Sequence, residues 1–257
     1  MGKAIAIFNQ KGGVGKTTTN VNLSASLAKI GKKILVIDND PQGNSTSGLG
    51  VDKNEIEFGL YDALIGDASP RDCIVHTQFS KLHIMPSNVD LAGAEIEMID
   101  IENREYRLKR IIDDVKADYD FIFVDCPPSL GMLTINSLVA VDSVIIPIQC
   151  EYYALEGVSS LMNTFELIKK SLNPNLIIEG ILISMFDGRT NLSVQVAEEV
   201  KAFFKEKVYE TIIPKNVRLA EAPSYGLPVI EYDPKSKGSI AYKLLAKEFS
   251  KKNRGVK

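Results

Sequence analysis

The chain has 257 residues, of which 45% are hydrophobic and 25% are charged, and its formal net charge is −3. This length is sufficient for one large α/β domain, and the composition is ordinary for a globular protein. No run approaches 18 consecutive apolar residues, and an apolar strand starts almost at once, so we expect neither a membrane-spanning helix nor a signal peptide. Three widely spaced cysteines argue against a disulfide framework and favour a reducing cytoplasm.

The net charge conceals an uneven distribution along the chain. Residues 1–180 contain 16 Lys and Arg against 24 Asp and Glu, whereas residues 181–257 contain 14 against 9. Either the two parts simply have differently solvated faces, or the C-terminal third contributes a basic surface.

Short apolar runs that are typical of strands alternate with patterns typical of amphipathic helices. Strands are predicted at Lys3–Phe8, Lys33–Asp38, Leu82–Met85, Phe121–Asp125, Ser143–Ile148, Glu179–Phe186, Val208–Ile213 and Val229–Tyr232. Helices are predicted at roughly residues 16–30, 103–117, 154–172, 191–206 and 238–252. Because the strands are rich in Val and Ile and do not alternate strictly, they indicate a mostly parallel sheet with helices on both faces. We find no linker or repeat, so the sequence predicts a single α/β domain.

The first predicted strand and helix flank a glycine-rich loop, Lys11-Gly-Gly-Val-Gly-Lys-Thr-Thr-Thr19. A strand, such a loop and a helix are the context of a phosphate-binding loop. Its glycines leave backbone N–H groups open to phosphate oxygens. Lys16 would reach the β- and γ-phosphates, and the Thr17 hydroxyl would ligate Mg²⁺.

This loop departs from the general pattern G-x-x-x-x-G-K-[ST]. Gln10 stands where the first glycine belongs, and an additional lysine, Lys11, lies inside the loop. The loop resembles that of the deviant Walker A family, K-G-G-x-G-K-[ST]. In that family the additional lysine reaches across a dimer interface to the partner's nucleotide, so the resemblance implies this role for Lys11.

Two further predicted strands end in acidic residues, at the edge where ligands bind in this class of sheet. Asp125 follows four apolar residues and precedes Pro127-Pro128, which is the form of a Walker B acid that orients Mg²⁺, often through a water. Asp38 and Asp40 follow the second predicted strand. The residues alone leave open which of the two orients the attacking water, and whether the other supports Mg²⁺ or only satisfies loop amides.

Four segments together resemble the ParA/Soj chromosome-partitioning ATPases. They are Lys11–Thr19, Asp38–Ser47, Asp125–Ser129 and Ile213–Ser224, and they follow the family's order at near its spacing. The resemblance implies a P-loop NTPase domain over residues 1–250, and we expect residues 251–257 to be a disordered basic tail. It also implies ATP and Mg²⁺ as cofactors, with hydrolysis of ATP to ADP and phosphate as the activity.

The resemblance assigns individual residues as well. Asp40 matches the residue that positions the hydrolytic water, so the expected catalytic residues are Lys11, Lys16 and Asp40. Thr17 and Asp125 match the Mg²⁺ site, with Asp125 acting through a water. The expected ATP-binding residues are Lys11, Gly12, Gly13, Val14, Gly15, Lys16, Thr17, Thr18, Pro214 and Asn216, of which the last two match the adenine contacts. Gly12 lies where two loops approach each other in the family's ATP sandwich dimer.

The family's ATP-bound dimer binds DNA without sequence preference, through Arg and Lys side chains of both subunits. The matching positions are Arg189 and Arg218, and weaker candidates are Lys201, Lys205 and Lys237. We therefore expect an ATP-dependent homodimer on double-stranded DNA, cytoplasmic and associated with the nucleoid. A ParB/Spo0J-like centromere-binding protein would stimulate hydrolysis and release the DNA, which would drive chromosome or plasmid segregation.

Two alternatives remain. A MinD-like membrane ATPase would need an amphipathic C-terminal helix, but residues 251–257 contain a single apolar residue, so we expect no membrane partner. Apolar residues of the preceding helix are expected to pack on the sheet; they are Ile240, Leu244, Leu245 and Phe249. A metabolic P-loop enzyme, such as an amidoligase or a kinase, would need a substrate pocket for which we find no motif. For Tyr152-Tyr153, packing or dimer contact is a better interpretation than base stacking.

Overall fold

The structure is a computed structural model that describes residues 2–151 and 154–255, without the side chains of residues 154–156. Tyr152-Tyr153 therefore lies outside the described residues. The strands are β1 Lys3–Ile7, β2 Ile34–Asp38, β3 Val75–His76, β4 Leu82–Met85, β5 Phe121–Asp125, β6 Ser143–Gln149 and β7 Ile177–Ser184. Within the described residues they form one sheet in the order β3-β4-β2-β5-β1-β6-β7, in which the β3–β4 pair is antiparallel and the others are parallel.

Helices cover both faces of this sheet. They are α1 Lys16–Lys29, α2 Asn44–Gly48, α3 Leu60–Ile65, α4 Leu91–Glu97, α5 Arg107–Val115, α6 Met132–Ala140, α7 Ala154–Ser171, α8 Asn191–Phe204, α9 Val217–Glu221, α10 Val229–Tyr232 and α11 Lys237–Lys252. Because the side chains of a strand alternate between the two faces of the sheet, the buried strand β5 contributes to a hydrophobic core on each face. Ile122 and Val124 pack with α5 and α6, whereas Phe121 and Phe123 pack with α1 and α11. The predicted parallel sheet with helices on both faces is confirmed.

Two predicted strands were wrong. Residues 208–213 form no regular strand, because the backbone N–H groups of Glu210 and Thr211 donate to the Glu248 carboxylate instead of to β7. The segment keeps an isolated bridge from Val208 to Ile181 and two separate backbone hydrogen bonds, from Tyr209 to Ile181 and from Ile213 to Ile183. Residues 229–232 form the helix α10, which starts after Pro228. The helix α6 was not predicted, since it is apolar on most sides and has no polar face to mark its period.

The last helix extends beyond the predicted end of the domain at residue 250. It continues to Lys252, and the side chain of the next residue, Asn253, is buried. Asn253 accepts a hydrogen bond from Lys3 and donates one to Glu179, each 2.7 Å long. This buried network orders the first part of the segment that we expected to be a disordered tail.

The helix α11 packs on the sheet through part of its predicted apolar set. Leu245 and Phe249 are fully buried, as expected, whereas Ile240 and Leu244 are about half exposed. Among the described residues, no helix combines the length and the apolar character that a membrane span needs.

The chain's two histidines form a cross-strand pair between β3 and β4. The rings of His76 and His83 are stacked with centroids 4.0 Å apart, and His83 Nδ1 lies 2.9 Å from the Tyr119 hydroxyl. Burial, followed by the nearby His76 and Lys33, lowers the pKa of His83 from its ordinary value of 6.5. The folded chain therefore binds fewer protons than the unfolded chain at mildly acidic pH, and stability is lost as pH falls through that range.

We expect His83→Gln to reduce the pH dependence of stability. The substitution removes the titrating ring, so the loss of unfolding free energy between pH 7 and pH 5 should shrink by a few tenths to about 1 kcal/mol. Thermal denaturation over this pH range measures the effect. An unchanged slope would show that His83 does not titrate differently in the folded and unfolded states.

Candidate nucleotide site

The glycine-rich loop lies between β1 and α1 at the carboxyl edge of the sheet. Gly13 and Gly15 have φ angles of +74° and +89°, in the left-handed region that favours glycine. The loop is anchored from below by Asn9, whose side chain donates to the Pro147 carbonyl and accepts from the backbone N–H of Lys11. Since α1 starts directly after Gly15, its free N–H groups point toward the space above the loop, where an anion is stabilised.

The two lysines of the loop have different surroundings. Lys16 is buried, and its Nζ donates to the Lys11 carbonyl over 3.1 Å. Burial lowers the pKa of Lys16, while the charges of Asp125 and Asp40 act in the opposite direction. The Lys11 side chain points outward and is about half exposed, with its Nζ 2.7 Å from a carboxylate oxygen of Glu151. Lys16 is therefore placed within the site, and Lys11 on its rim.

Two adjoining clefts lie over the loop, with volumes of 340 and 390 Å³, and they share Gly15, Thr18 and Met185. The first is lined by Gly12, Gly13, Gly15, Lys16, Thr17, Thr18, Asp40, Gln42, Asn44, Pro128 and Met185. Of the loop residues expected to bind ATP, Lys11 and Val14 line neither cleft. Val14 is buried, and its carbonyl accepts from the Ser184 hydroxyl over 2.7 Å.

The second cleft contains Pro214 and Asn216. Its other side chains are mostly apolar, and they include Ile213, Leu219 and Tyr242. Asn216 Oδ1 caps α9 by accepting from the N–H of Arg218. An apolar slot with few polar groups next to a phosphate-type loop has the chemistry that a planar base requires.

The structure separates Asp38 from Asp40. Asp38 is fully buried, and its Oδ2 accepts from both the backbone N–H and the hydroxyl of Thr46, each over 2.7 Å. Asp40 lines the first cleft, and its Oδ1 accepts from the N–H of Gln42 over 2.9 Å. Of the two, Asp40 has access to a ligand in the cleft, whereas Asp38 holds the chain that follows it.

Asp125 lies beside Asp38, because these residues pair in register at the ends of β5 and β2. One oxygen of Asp125 accepts from the Ser45 hydroxyl over 2.8 Å, and the other, Oδ1, has no hydrogen-bond partner among the described residues. Burial raises the pKa of Asp125 to about 6, against the effect of the hydroxyls of Thr17 and Ser45. Burial and the charge of Asp125 raise the pKa of Asp38 to about 8.

These groups fit a Mg²⁺ ion that is bound together with a nucleotide. The free Oδ1 of Asp125 and the hydroxyl of Thr17 are oxygen ligands of the kind that Mg²⁺ prefers. The described residues contain no cluster of three or more His, Cys, Asp or Glu that could hold a metal ion. An ion here would therefore take its remaining ligands from phosphates and water, as Mg²⁺ usually does.

Sequence reasoning missed the hydroxyl groups that fix the acidic residues. Ser45 and Thr46 contact Asp125 and Asp38, and Ser87 donates to the Asp40 carbonyl over 2.9 Å. Ser45 and Thr46 belong to a motif that we used only for its resemblance to the family. Ser87 carried no motif, although its position just after β4 places it at the same edge of the sheet.

Arg189 and Arg218, the expected DNA contacts, are exposed but paired with carboxylates. Arg189 makes two hydrogen bonds to Asp187, of 2.8 and 2.7 Å, and these hold the pKa of Asp187 well below its usual range. Arg218 lies 2.7 Å from Glu221 and 3.4 Å from Asp233. Arg218 is close to the second cleft, whereas Arg189 lines neither cleft. The weaker candidates are also exposed; they are Lys201, Lys205 and Lys237.

The sequence was compared with families and with known proteins. Residues 2–178 match a family model described as an AAA domain. The chain is 60% identical to the sporulation initiation inhibitor protein Soj of Bacillus subtilis, over 96% of this chain and 98% of that protein. It is 51% identical to the chromosome partitioning protein ParA of Myxococcus xanthus, over 98% of this chain and 89% of that protein.

Solved structures with the same fold include proteins with other activities. A cobyrinic acid a,c-diamide synthase from Mycobacterium smegmatis, with a bound ATP analogue and magnesium, superposes with a TM-score of 0.87 at 35% identity, over 100% of this chain and 98% of that one. The septum site-determining protein MinD of Pyrococcus horikoshii, in complex with Mg-ADP, gives a TM-score of 0.82 at 30% identity, with the same coverage. The extent and identity of the matches to Soj and ParA establish that the chain belongs to the ParA/Soj family of chromosome-partitioning ATPases.

Proposed function

We propose that the chain is a Mg²⁺-dependent ATPase whose ATP-bound dimer holds double-stranded DNA and whose hydrolysis step releases it. The observation that carries this proposal is the placement of Lys16 and Asp40 in one cleft, with the buried Asp125 near enough for its charge to act on Lys16, in a chain that is 60% identical to Soj. Repeated cycles of binding and release would move a chromosome or a plasmid. ParA/Soj proteins are named for chromosome partitioning, and the structure supports the nucleotide part of the cycle.

The nucleotide would occupy both clefts. The loop amides and Lys16 would hold the β- and γ-phosphates, and the slot beside Pro214 and Asn216 would hold the base. A Mg²⁺ ion held near Thr17 and Asp125 would supply charge neutralisation at the phosphates. Because the buried Lys16 Nζ is held by the Lys11 carbonyl within the phosphate loop, it is preorganised for contact with phosphate.

Hydrolysis requires a group that orients a water for in-line attack on the γ-phosphate. Asp40 is the carboxylate that lines the cleft, and its hydrogen bond to Gln42 fixes its orientation. We assign the water-positioning role to Asp40. Asp38 would act as a positioning residue, since it anchors Thr46 and thereby the neighbouring Ser45 that contacts Asp125.

Dimerisation would bring Lys11 into the partner's site. In the single chain its Nζ is paired with Glu151 at an exposed position, where such an ion pair contributes at most about 1 kcal/mol and is readily exchanged. The phosphates of a partner's nucleotide offer more negative charge than one carboxylate. The exposed, exchangeable position of Lys11 is what supports a nucleotide-dependent homodimer in this proposal.

DNA binding would use Arg189 and Arg218 on the basic C-terminal third. DNA phosphates would have to displace the carboxylates that pair with these arginines, so each arginine alone would contribute little binding free energy. The arginines of both subunits of a dimer would therefore be needed. This arrangement predicts affinity that depends strongly on salt and little on sequence. We further propose a ParB/Spo0J-like centromere-binding protein as the activator, with the complex located at the nucleoid in the cytoplasm.

A MinD-like role on membranes is less well supported. The buried side chains of α11, such as Leu245 and Phe249, are used for packing on the sheet. The shared fold accounts for the similarity to a MinD structure at 30% sequence identity. The sequence identity to Soj, 60%, is twice as high.

Gly12→Val tests the dimer separately from the fold. A Cβ at Gly12 would meet nothing within 4 Å in the single chain, so the substitution should leave the free energy of unfolding within about 0.5 kcal/mol of the original. Because Gly12 lines the first cleft, ATP binding by the variant is measured as well. We expect the ATP-dependent dimer to be lost, because two copies of the loop would face each other across the interface. Sedimentation with ATP and Mg²⁺ measures this, and a variant that still dimerises would place the interface elsewhere.

A further inference from the structure

The helix α4 and the turns that flank it carry an apolar stripe on their outer side. Val89, Ala92, Ile96 and Ile99 are exposed and follow one another at helical spacing, and we call them the α4 stripe. Three of them have exposed fractions of 75%, 71% and 58%. The opposite side of the same segment is fully buried in the core. Single exposed aliphatic side chains are common, but a continuous stripe marks a surface that is covered by something else.

Acidic residues border the stripe. The segment from residue 88 to residue 105 contains six Asp and Glu against one basic residue, Arg104. Arg104 is already occupied, since it donates to the Ile99 carbonyl over 2.7 Å and lies 3.6 Å from Glu105. Among the described residues, no basic side chain forms an ion pair with Asp90 or Asp100. The surface is therefore complementary to a cationic segment that carries apolar side chains.

This segment is connected to the nucleotide site at two points. Just before it, Ser87 donates from its hydroxyl to the Asp40 carbonyl and from its backbone N–H to the Thr46 hydroxyl oxygen. On α4 itself, Glu95 Oε1 accepts from the N–H of Leu133 at the start of α6, which follows the turn after Asp125. The contact is close, because a Cβ at Gly131 would lie only 2.1 Å from Glu95 Oε1. A shift of α4 would therefore displace the Asp40 carbonyl and the turn after Asp125.

We propose that the α4 stripe is the docking surface for a cationic peptide segment with apolar side chains, which belongs to the partner that stimulates hydrolysis. The apolar side chains of the segment cover Ile96 and Ile99, and its positive charges face the surrounding carboxylates. Binding shifts α4, and Ser87 and Glu95 transmit the shift to Asp40 and to the turn after Asp125. This inference rests on the proposed function, because it takes the partner to be the activator of ATP hydrolysis.

The test uses Ile96→Lys/Ile99→Lys in the full chain. Both side chains are exposed, so the fold is retained, and the added charges repel a cationic segment. The matched control is Ile30→Lys/Ile177→Lys, which changes two isoleucines with exposed fractions of 49% and 50% at the opposite edge of the sheet. The probe is the purified ParB-like centromere-binding protein from the same genome, labelled for fluorescence anisotropy.

We expect the Ile96→Lys/Ile99→Lys variant to bind this probe at least tenfold more weakly and to lose stimulation of ATP turnover. Its basal turnover and its ATP-dependent DNA binding should stay unchanged, and the control should behave as the original chain. Glu95→Gln separates docking from transmission: it should keep the affinity for the probe and lower the stimulation. Full stimulation in Glu95→Gln would show that Glu95 does not transmit the signal.

Other outcomes would overturn the docking proposal. One is full binding and stimulation of the Ile96→Lys/Ile99→Lys variant, and another is a lack of probe binding by the original chain. Loss of the ATP-dependent dimer in that variant, without any partner present, would identify a second copy of the chain as the occupant. If the original chain fails to bind DNA in the presence of ATP, the proposed function is wrong, whatever the outcome for the docking proposal. The DNA-binding measurement does not involve the probe, so the two failures can be told apart.

Discussion

Asp40→Ala is expected to lower ATP turnover by about 10²–10⁴-fold while ATP stays bound, which is the range that a positioned acid–base group supplies. The carboxylate of Asp40 lines the cleft, and among the described residues it accepts from the N–H of Gln42, which lies outside the phosphate loop. Its removal therefore affects the attacking water and leaves the phosphate contacts in place. Single-turnover phosphate release, combined with measurement of the nucleotide that remains on the protein, gives both quantities.

Asp40→Asn and Asp38→Asn complete this test. Asp40→Asn keeps an oxygen to accept from the Gln42 N–H but cannot take a proton, so it should be nearly as slow as the alanine variant. Asp38→Asn keeps an acceptor for Thr46 and should retain more turnover. If Asp40→Ala remained active and Asp38→Asn did not, the two roles would have to be exchanged.

Lys16→Ala is expected to abolish the ATPase, with a loss of turnover of more than about 10³-fold and at least tenfold weaker binding of ATP. The buried Nζ of Lys16 is a charge-assisted donor to phosphate, and an alanine leaves that site without positive charge. Isothermal titration with a non-hydrolysable ATP analogue and steady-state turnover measure the two effects.

Lys11→Ala is the matched control, because it removes the other lysine of the same loop. Lys11 points outward and pairs with Glu151, so a single chain lacking it should bind ATP with unchanged affinity. The defect should appear only where two chains meet, as a loss of the dimer and of turnover within the dimer. Equal loss of ATP affinity in both variants would contradict the assignment of different roles to the two lysines.

The sequence predicted the site best where a motif requires particular residue types at a particular place in the fold. The loop from Lys11 to Thr19 could be recognised because few other functions require glycines, a lysine and a threonine between a strand and a helix. The position of Asp125 followed from the rule that parallel strands deliver functional residues at their carboxyl ends. The structure places Lys16, Thr17 and Asp40 in one cleft, and the charge of the buried Asp125 acts on Lys16.

Other features depended on contacts between distant segments. Residues 208–213 have the composition of a strand, but the Glu248 carboxylate on α11 accepts from the backbone N–H groups of Glu210 and Thr211. The different environments of Asp38 and Asp40 arise from Thr46 and from Ser87, which is 47 residues from Asp40 along the chain. Asn253, which follows α11, bonds to Lys3 at the start of β1, 250 residues away along the chain. The pattern of neighbouring residues in the sequence does not predict such contacts.

Binding of the chain to a random-sequence DNA duplex, across a salt series, tests the proposed cycle most directly. The measurement is made with ATP and Mg²⁺, with ADP, and without nucleotide, for the original chain, for Asp40→Ala and for Arg189→Ala/Arg218→Ala. Binding should require ATP, persist in Asp40→Ala, weaken steeply with salt and be lost in the double arginine variant. Absence of binding in every nucleotide state, or equal binding in all of them, would contradict a DNA switch driven by ATP.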